Sequence, residues 1–192
     1  MKGIVACEKS QEVARAFVLR GHDFRSCDLL PCEHPEWGIP HIQDDIRNHL
    51  NEGYDILIAH PDCTTKANSG VQWLFKILGR YEQMIADCQF FNELLDSKIP
   101  KICIEHPIIH KYARQFIRKY DQIIQPHYFI GSNESKATCL WLVGLQELQR
   151  TQWLDKADIK QSVWRHAPGP ERKVDRARTD RALAKAMATQ WG

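Results

Sequence analysis

Short apolar runs alternate with longer amphipathic stretches along the chain, and the alternation predicts strands and helices in turn. Gly3-Ile4-Val5-Ala6-Cys7 is too short for a helix and reads as a strand. Between Glu12 and Arg20, Val13, Ala16, Phe17 and Arg20 recur at helical spacing, and Gly21 closes the pattern as a C-cap would. Phe24 to Asp28 predicts a second strand ending in a carboxylate, before Leu29-Leu30-Pro31 breaks the pattern. Strand, helix, strand in that order implies a parallel pair joined by a right-handed crossover. Residues 32 to 43, rich in Pro, His and Trp, read as a loop, with a short edge strand within His41 to Ile46 and a helical turn through Leu50.

The most informative stretch runs from Asp55 to Thr65. Ile56-Leu57-Ile58-Ala59 stops abruptly at His60-Pro61 and opens into Asp62-Cys63-Thr64-Thr65, as a buried parallel strand does when it delivers a loop at its carboxyl end. Two helices are predicted next, Val71 to Leu78 and about Arg80 to Asp96. The second carries Tyr81, Met84, Ile85, Cys88, Phe91, Leu94 and Leu95 along one face. Lys101 to Pro107 repeats the device of an apolar strand ending in polar residues, and a helix is predicted from about Ile109 to Arg118. Ile123 to Phe129 and Ala137 to Leu142 predict an antiparallel pair at the sheet edge. From Gln146 to Arg176 the chain is polar and broken by Pro168-Gly169-Pro170, which predicts an exposed, mobile, irregular segment; Thr179 to Trp191 predicts a terminal helix. The sum is a single doubly wound α/β domain over residues 1–192, with a mostly parallel sheet and an antiparallel edge.

Composition narrows this picture only a little. The 192 residues suit one well-buried domain, and 26 Lys and Arg against 24 Asp and Glu give a formal charge of +2, which does not by itself announce a nucleic-acid binder. No stretch approaches the ~20 apolar residues of a membrane span, and the first residues lead straight into a strand, so a cytoplasmic protein is expected. Seven scattered cysteines suit reduced thiols better than a disulfide framework. Cys27, Cys32, His34 and His41 match no standard zinc spacing, so no metal is expected. Trp73 and Trp141 lie in apolar runs and are expected in the core.

In a doubly wound sheet the carboxyl ends of the strands converge on one crevice. That gathers Glu8, Ser10, Asp28, Asp45, His60 to Thr64, Glu105 and His106. An ionised carboxylate at the end of the second strand can accept two hydrogen bonds from a ribose, which makes Asp28 a candidate nucleoside ligand; a solvated strand end is the plain alternative. Cys63 lies beyond the apolar run beside hydroxyls, where a thiol can be reactive, although a single cysteine is more often a small buried hydrophobe. Thiolate plus carboxylate, here Cys63 and Glu105, is the minimum for attack on C6 of a pyrimidine with charge drawn out at N3.

At this point the chain resembles a family. Val5-Ala6-Cys7-Glu8-Lys9-Ser10, Gly21-His22-Asp23, Ser26-Cys27-Asp28-Leu29-Leu30-Pro31, Ile58-Ala59-His60-Pro61-Asp62-Cys63-Thr64, Asn68-Ser69-Gly70-Val71-Gln72-Trp73-Leu74, Ile104-Glu105-His106-Pro107, Lys136-Ala137-Thr138-Cys139-Leu140-Trp141-Leu142 and Ala186-Met187-Ala188-Thr189-Gln190-Trp191-Gly192 look like the small phage and prophage proteins described as DNA cytosine methyltransferases. The likeness runs through nearly the whole chain. It implies a class I methyltransferase (Rossmann-like) sheet, S-adenosylmethionine as cofactor, DNA or a nucleotide-like molecule as partner, and the host cytoplasm as location. It places Cys63 on the nucleophile and Glu105 on the residue that contacts cytosine. Cys7, Glu8, Ser10, Asp28, Asp45 and His60 fall beside the cofactor, and Pro61, Asp62, Thr64, Asn68, His106 and Lys136 beside the substrate.

Three positions depart from the family's pattern: Gln11 where it has Gly, Asp62 where it has the second Pro of Pro-Pro-Cys, and His106 where it has the Asn of Glu-Asn-Pro. A carboxylate beside Cys63 disfavours its thiolate. Nor is there a large target-recognition domain; the one basic surface available is Arg165, Arg172, Lys173, Arg176, Arg178 and Arg181, a run that can equally be merely solvated. Two readings follow. One is methyl transfer to C5 of cytosine, impaired or not by these changes. The other is a non-catalytic nucleotide-binding protein of phage origin, with His60, Asp62, Lys66 and His106 as polar contacts, that sequesters a host defence signal or inhibits a defence protein.

Overall fold

The computed structural model describes residues 1–161 and 178–192. Seven strands, β1 (Lys2–Ala6), β2 (Asp23–Asp28), β3 (His41–Gln43), β4 (Ile56–Ala59), β5 (Lys101–Pro107), β6 (Gln122–Ile124) and β7 (Thr138–Val143), form one sheet in the order β3-β2-β1-β4-β5-β7-β6. β1 to β5 are mutually parallel, while β7 runs antiparallel to both β5 and β6. This is the doubly wound, mostly parallel sheet that the strand pattern predicts, with the expected antiparallel pair at its edge.

Helices cover both faces and explain the apolar runs. α2 (Arg80–Leu95) buries Met84, Cys88, Phe91 and Leu94 against Leu57, Ile102, Ile104 and the fully buried Trp141. On the other face α1 (Glu12–Val18) and α3 (Arg181–Trp191) pack Val13, Phe17, Leu183, Met187 and Trp191 over Val5, Ile58 and Cys103. Strands covered on both faces must be apolar throughout, which is why β4 shows no alternation. Gly3 has a packing reason of its own: a Cβ there would lie 2.2 Å from the Phe24 ring, which stacks on Phe17 at 4.1 Å.

Several expected elements are shorter than their sequence pattern suggests. Instead of a helix from Ile109 to Arg118, only a 3-10 turn at Ala113–Gln115 forms. The backbone at 108–110 is committed elsewhere: Asn68 N donates to Ile108 O (3.1 Å), His110 N donates to Lys66 O (3.0 Å), and Ala67 bridges Ile109. The expected helix at 71–78 is likewise a 3-10 segment at Asn68–Trp73, and Trp73 is half exposed rather than in the core. β6 stops at Ile124 because Pro126 has no N–H to continue the ladder, and Pro126–Tyr128 turns instead.

Residues 146–161 are irregular apart from a turn at Lys156–Asp158 and a bridge of Lys160 to Glu134, yet they are tied to α3. Gln149 and Gln190 exchange two hydrogen bonds (2.7 and 2.9 Å), Trp191 Nε1 donates to Gln146 O (3.0 Å), and Leu148 is buried. The rest of the predicted irregular segment, with Arg165, Arg172, Lys173 and Arg176, lies outside the described residues. Arg178 and Arg181 are not a loose basic surface: Arg178 pairs with Glu33 at 2.7 Å and Arg181 with the buried Glu12 at 3.1 Å. None of the seven cysteines forms a disulfide. No helix among the described residues is long and apolar enough to cross a membrane.

Candidate functional site

The strand order reverses between β1 and β4, and the carboxyl ends on either side of that switch open into a cavity of about 770 Å³. The turn after β1 contributes Cys7, Glu8, Lys9 and Ser10; the end of β2 gives Asp28, Leu29 and Leu30. Asp44, Asp45, Ile46 and Arg47 follow β3, and His60, Asp62 and Lys66 follow β4. All six residues that the sequence places beside a cofactor therefore line one cavity.

The first turn is tightly built. Cys7 and Gln11 both sit in the left-handed region, at φ 57° and 56°. The Gln11 side chain turns away into the protein. It donates to Ser26 Oγ (2.9 Å) and Ile39 O (3.1 Å) and accepts from Cys32 Sγ (3.0 Å). Its side chain thereby compensates a backbone conformation that costs a residue with a Cβ. Glu8 points under α1, where Val13 N (2.7 Å) and Ala14 N (3.2 Å) donate to its carboxylate. Burial pushes Glu8 up to about 7 against the pull of His60 and those two amides. Burial, reinforced by the charge of Asp28, pushes the Cys7 thiol up to about 12.

At the far side, Asp28 accepts one hydrogen bond from Leu30 N (2.9 Å) through Oδ1, which leaves Oδ2 for a ligand hydroxyl. Asp45 is more fully committed. Arg47 Nε lies 3.0 Å from both of its oxygens and Nη2 lies 2.6 Å from one, so a ligand reaching Asp45 meets the Asp45–Arg47 pair.

The β4 exit carries the remaining chemistry. His60 Nδ1 and Glu105 Oε2 are 2.8 Å apart, both nearly buried, and Thr179 Oγ1 donates to the same carboxylate at 2.9 Å. Burial alone would raise Glu105, but the His60 hydrogen bond and charge, with Lys136 and Thr179, hold it at about 2. Burial opposes the charge on His60 as well; Glu105 and Glu8 overcome it and raise its pKa. The pair is thus imidazolium and carboxylate, and His60 Nε2 is buried without a partner.

Asp62 forms a turn with its own loop, accepting from Thr64 N (2.8 Å) and Thr64 Oγ1 (2.6 Å). Cys63 is half-buried in that loop, its carbonyl accepting from Lys66 N and Ala67 N.

Cys63, Pro61, Thr64, Asn68, Glu105, His106 and Lys136 are not among the cavity walls. His106 is packed in the core beside Phe91 and Trp141, and burial, aided by the nearby Lys66 charge, lowers it to about 4. Lys136 donates to Arg178 O (3.1 Å) and lines a second cavity of about 240 Å³, of which Arg178 and Thr179 are also walls. Sequence reasoning missed Glu33, Gln83, Asp87, Phe90 and Thr179 in the first cavity. For α2 a signal existed: Gln83, Asp87 and Phe90 recur at helical spacing beside the apolar stripe. Nothing local marks Glu33, which holds both Lys9 (3.0 Å) and Arg178 (2.7 Å) from distant parts of the chain.

No family model and no curated protein matches the chain. Two solved structures are similar in fold. One is described as a DNA modification methyltransferase encoded within a prophage (E. coli), with a TM-score of 0.42 and 12% identity over 74% of this chain and 46% of the other. The second is the Entamoeba histolytica methyltransferase EhMeth, with a TM-score of 0.49 and 13% identity over 79% of this chain and 57% of the other. The chain thus spans about half the length of these proteins. Likeness at this distance carries no argument about activity, which has to come from the site.

Proposed function

We propose that the chain is an S-adenosylmethionine-dependent methyltransferase-like domain acting on C5 of cytosine, in DNA or a nucleotide. The observation that carries this reading is the convergence of Cys7, Glu8, Ser10, Asp28, Asp45 and His60 on one cavity at the switch point of the sheet. The walls suit an adenosyl group. Leu29, Leu30, Ile46 and Phe90 offer apolar surface to a base, Asp28 offers acceptors to ribose hydroxyls, and seven carboxylates against four Lys and Arg favour a ligand carrying positive charge.

S-adenosylmethionine, when bound, supplies an electrophilic methyl group. On this reading the Cys63 thiolate bonds to C6 of the ring, C5 takes the methyl group, and loss of the C5 proton then breaks the sulfur–C6 bond and frees the thiolate. The acceptor ring needs a proton at N3 while charge develops. Glu105 alone is ionised, so that proton is the one it shares with His60 Nδ1. Asp62 works against the thiolate, which predicts slow turnover.

Calorimetry with S-adenosylmethionine and transfer of a labelled methyl group to DNA and to cytidine nucleotides test the reading. Cys63→Ser is expected to keep cofactor binding and abolish transfer. A folded protein that transfers no label to DNA, RNA or nucleotides would overturn it.

A further inference from the structure

One cation on the cavity walls forms no ion pair among the described residues. Of the Lys and Arg on its walls, Lys9 and Arg178 are both paired with Glu33, and Arg47 is clamped on Asp45. His60 is matched by Glu105. Lys66 alone forms no ion pair among the described residues. It is 1% exposed, and its amine makes a single hydrogen bond, to the backbone carbonyl of Asp62 at 2.5 Å. Asp87, the carboxylate that acts most on its charge, forms no ion pair with it and accepts instead from Thr65 Oγ1 and from Gln83 Nε2 (2.8 Å). An ammonium group has three donors and pays a large desolvation penalty when buried, so two donors are left for a ligand, with Asp87 and Asp62 acting on the charge only from a distance.

We propose that Lys66 is an anion subsite of this cavity, taking the carboxylate or phosphate of a ligand whose nucleoside part lies over Asp28. The proposal rests on the adenosyl-ligand reading and deepens it. The arrangement also orients the occupant: Asp28, Asp44 and Asp45 crowd the β2 and β3 ends, where no free cation among the described residues offsets them, while Lys66, with Asp62 and Asp87 near it, follows β4 on the other side of β1. A buried lysine is placed for this work because low local polarity strengthens its attraction for an anion. Burial lowers its own pKa despite Asp87 and Asp62 nearby, so an arriving anion would also favour the charged form.

Binding of four probes to wild type and to Lys66→Met separates the possibilities: S-adenosylhomocysteine (carboxylate), 5′-AMP (phosphate), 5′-methylthioadenosine and adenosine. Met fills nearly the same volume without the charge, and thermal melting confirms that the variant is folded. Wild type is expected to prefer one of the two anionic probes over the neutral ones, which identifies the source of the anion. Lys66→Met should weaken that probe by about tenfold or more and leave adenosine unchanged. Lys66→Arg, which keeps the charge, should recover part of the loss. If adenosine ligands bind but the variant treats anionic and neutral probes as wild type does, the subsite is wrong and the adenosyl reading stands. If wild type binds none of the four, both fall together.

Discussion

His60 Nδ1 lies 2.8 Å from Glu105 Oε2 across the ends of two neighbouring strands, and the two side chains hold opposite charges in a site that water barely reaches. Their mutual attraction, working against burial, fixes the pH window in which this pair stabilises the fold. Glu105 falls from an ordinary 4.5 to about 2, so its contribution is complete above 4.5 and is lost as pH drops toward 2. His60 is raised above 6.5, so its contribution is complete below 6.5 and fades as pH climbs through the raised value. Full strength therefore spans pH 4.5 to 6.5. His60→Ala is expected to cost about 3 kcal/mol in that window, because it strands a buried carboxylate. The penalty should shrink in more alkaline solution and again below pH 4.5. Urea unfolding of both proteins at several pH values checks this, and a pH-independent penalty would refute the ion pair.

The strand framework was legible because buried parallel strands write themselves as apolar runs that end in polar residues, and β1, β4 and β5 all do so. Their convergence followed from topology, so the cavity's Asp28, Asp45 and His60 could be named in advance. What sequence could not show was commitment. Asp45 is taken by Arg47 and Glu105 by His60 and Thr179, and the partners of Glu105 come from elements far apart in the chain. The helix expected at 109–118 failed for a related reason, since a long-range bridge between Ala67 and Ile109 uses backbone that local pattern assigns to a helix.

Thiol reactivity should separate Cys63 from most of its fellows. Cys27, Cys88 and Cys139 are buried, with thiols pushed up to about 11, and Cys7 is held at about 12. Cys103 is fully buried, and burial raises its pKa well above the ordinary thiol value. Iodoacetamide at pH 7.5, followed by peptide mass mapping, is expected to label Cys32 and Cys63 well ahead of those five. Asp62→Asn retains an acceptor for Thr64 N while removing the neighbouring negative charge, so it should speed alkylation of Cys63 severalfold and leave Cys32 unaffected. Equal rates in the two proteins would remove Asp62 as a brake on the thiolate.

The loop that carries Cys63 closes on a glycine. A Cβ on Gly70 would stand 2.3 Å from the carbonyl oxygen of Thr64, which also accepts from Arg80 Nη2 at 3.2 Å. Backbone has to move to admit even one methyl group. Gly70→Ala is expected to cost about 1 to 3 kcal/mol in urea unfolding and to raise hydrogen exchange in 63–70 while β1 and β5 stay protected. An alanine variant as stable as wild type would show that the loop is free to shift.

Gln11 offers the sharpest test of how this chain holds a residue with a Cβ in a left-handed turn. At φ 56° a residue with a Cβ is strained by roughly 1–2 kcal/mol, and glycine relieves that strain at once. Glycine also removes the buried amide that serves Ser26, Ile39 and Cys32. Losing those hydrogen bonds takes the amide donor from the Ile39 carbonyl and one of two partners from Ser26 Oγ, which keeps His41 (2.8 Å); the cost of about 1–3 kcal/mol outweighs the strain relief. Gln11→Gly is therefore expected to be less stable than wild type by about 1 kcal/mol, as the small remainder of two opposing effects. Gln11→Ala keeps the strain and loses the bonds, so it should fall further, by about 2 to 3 kcal/mol. The predicted order is Gln, then Gly, then Ala. A glycine variant more stable than wild type would mean that strain dominates and that the amide network contributes little; an alanine variant equal to glycine would mean that the left-handed turn costs nothing here.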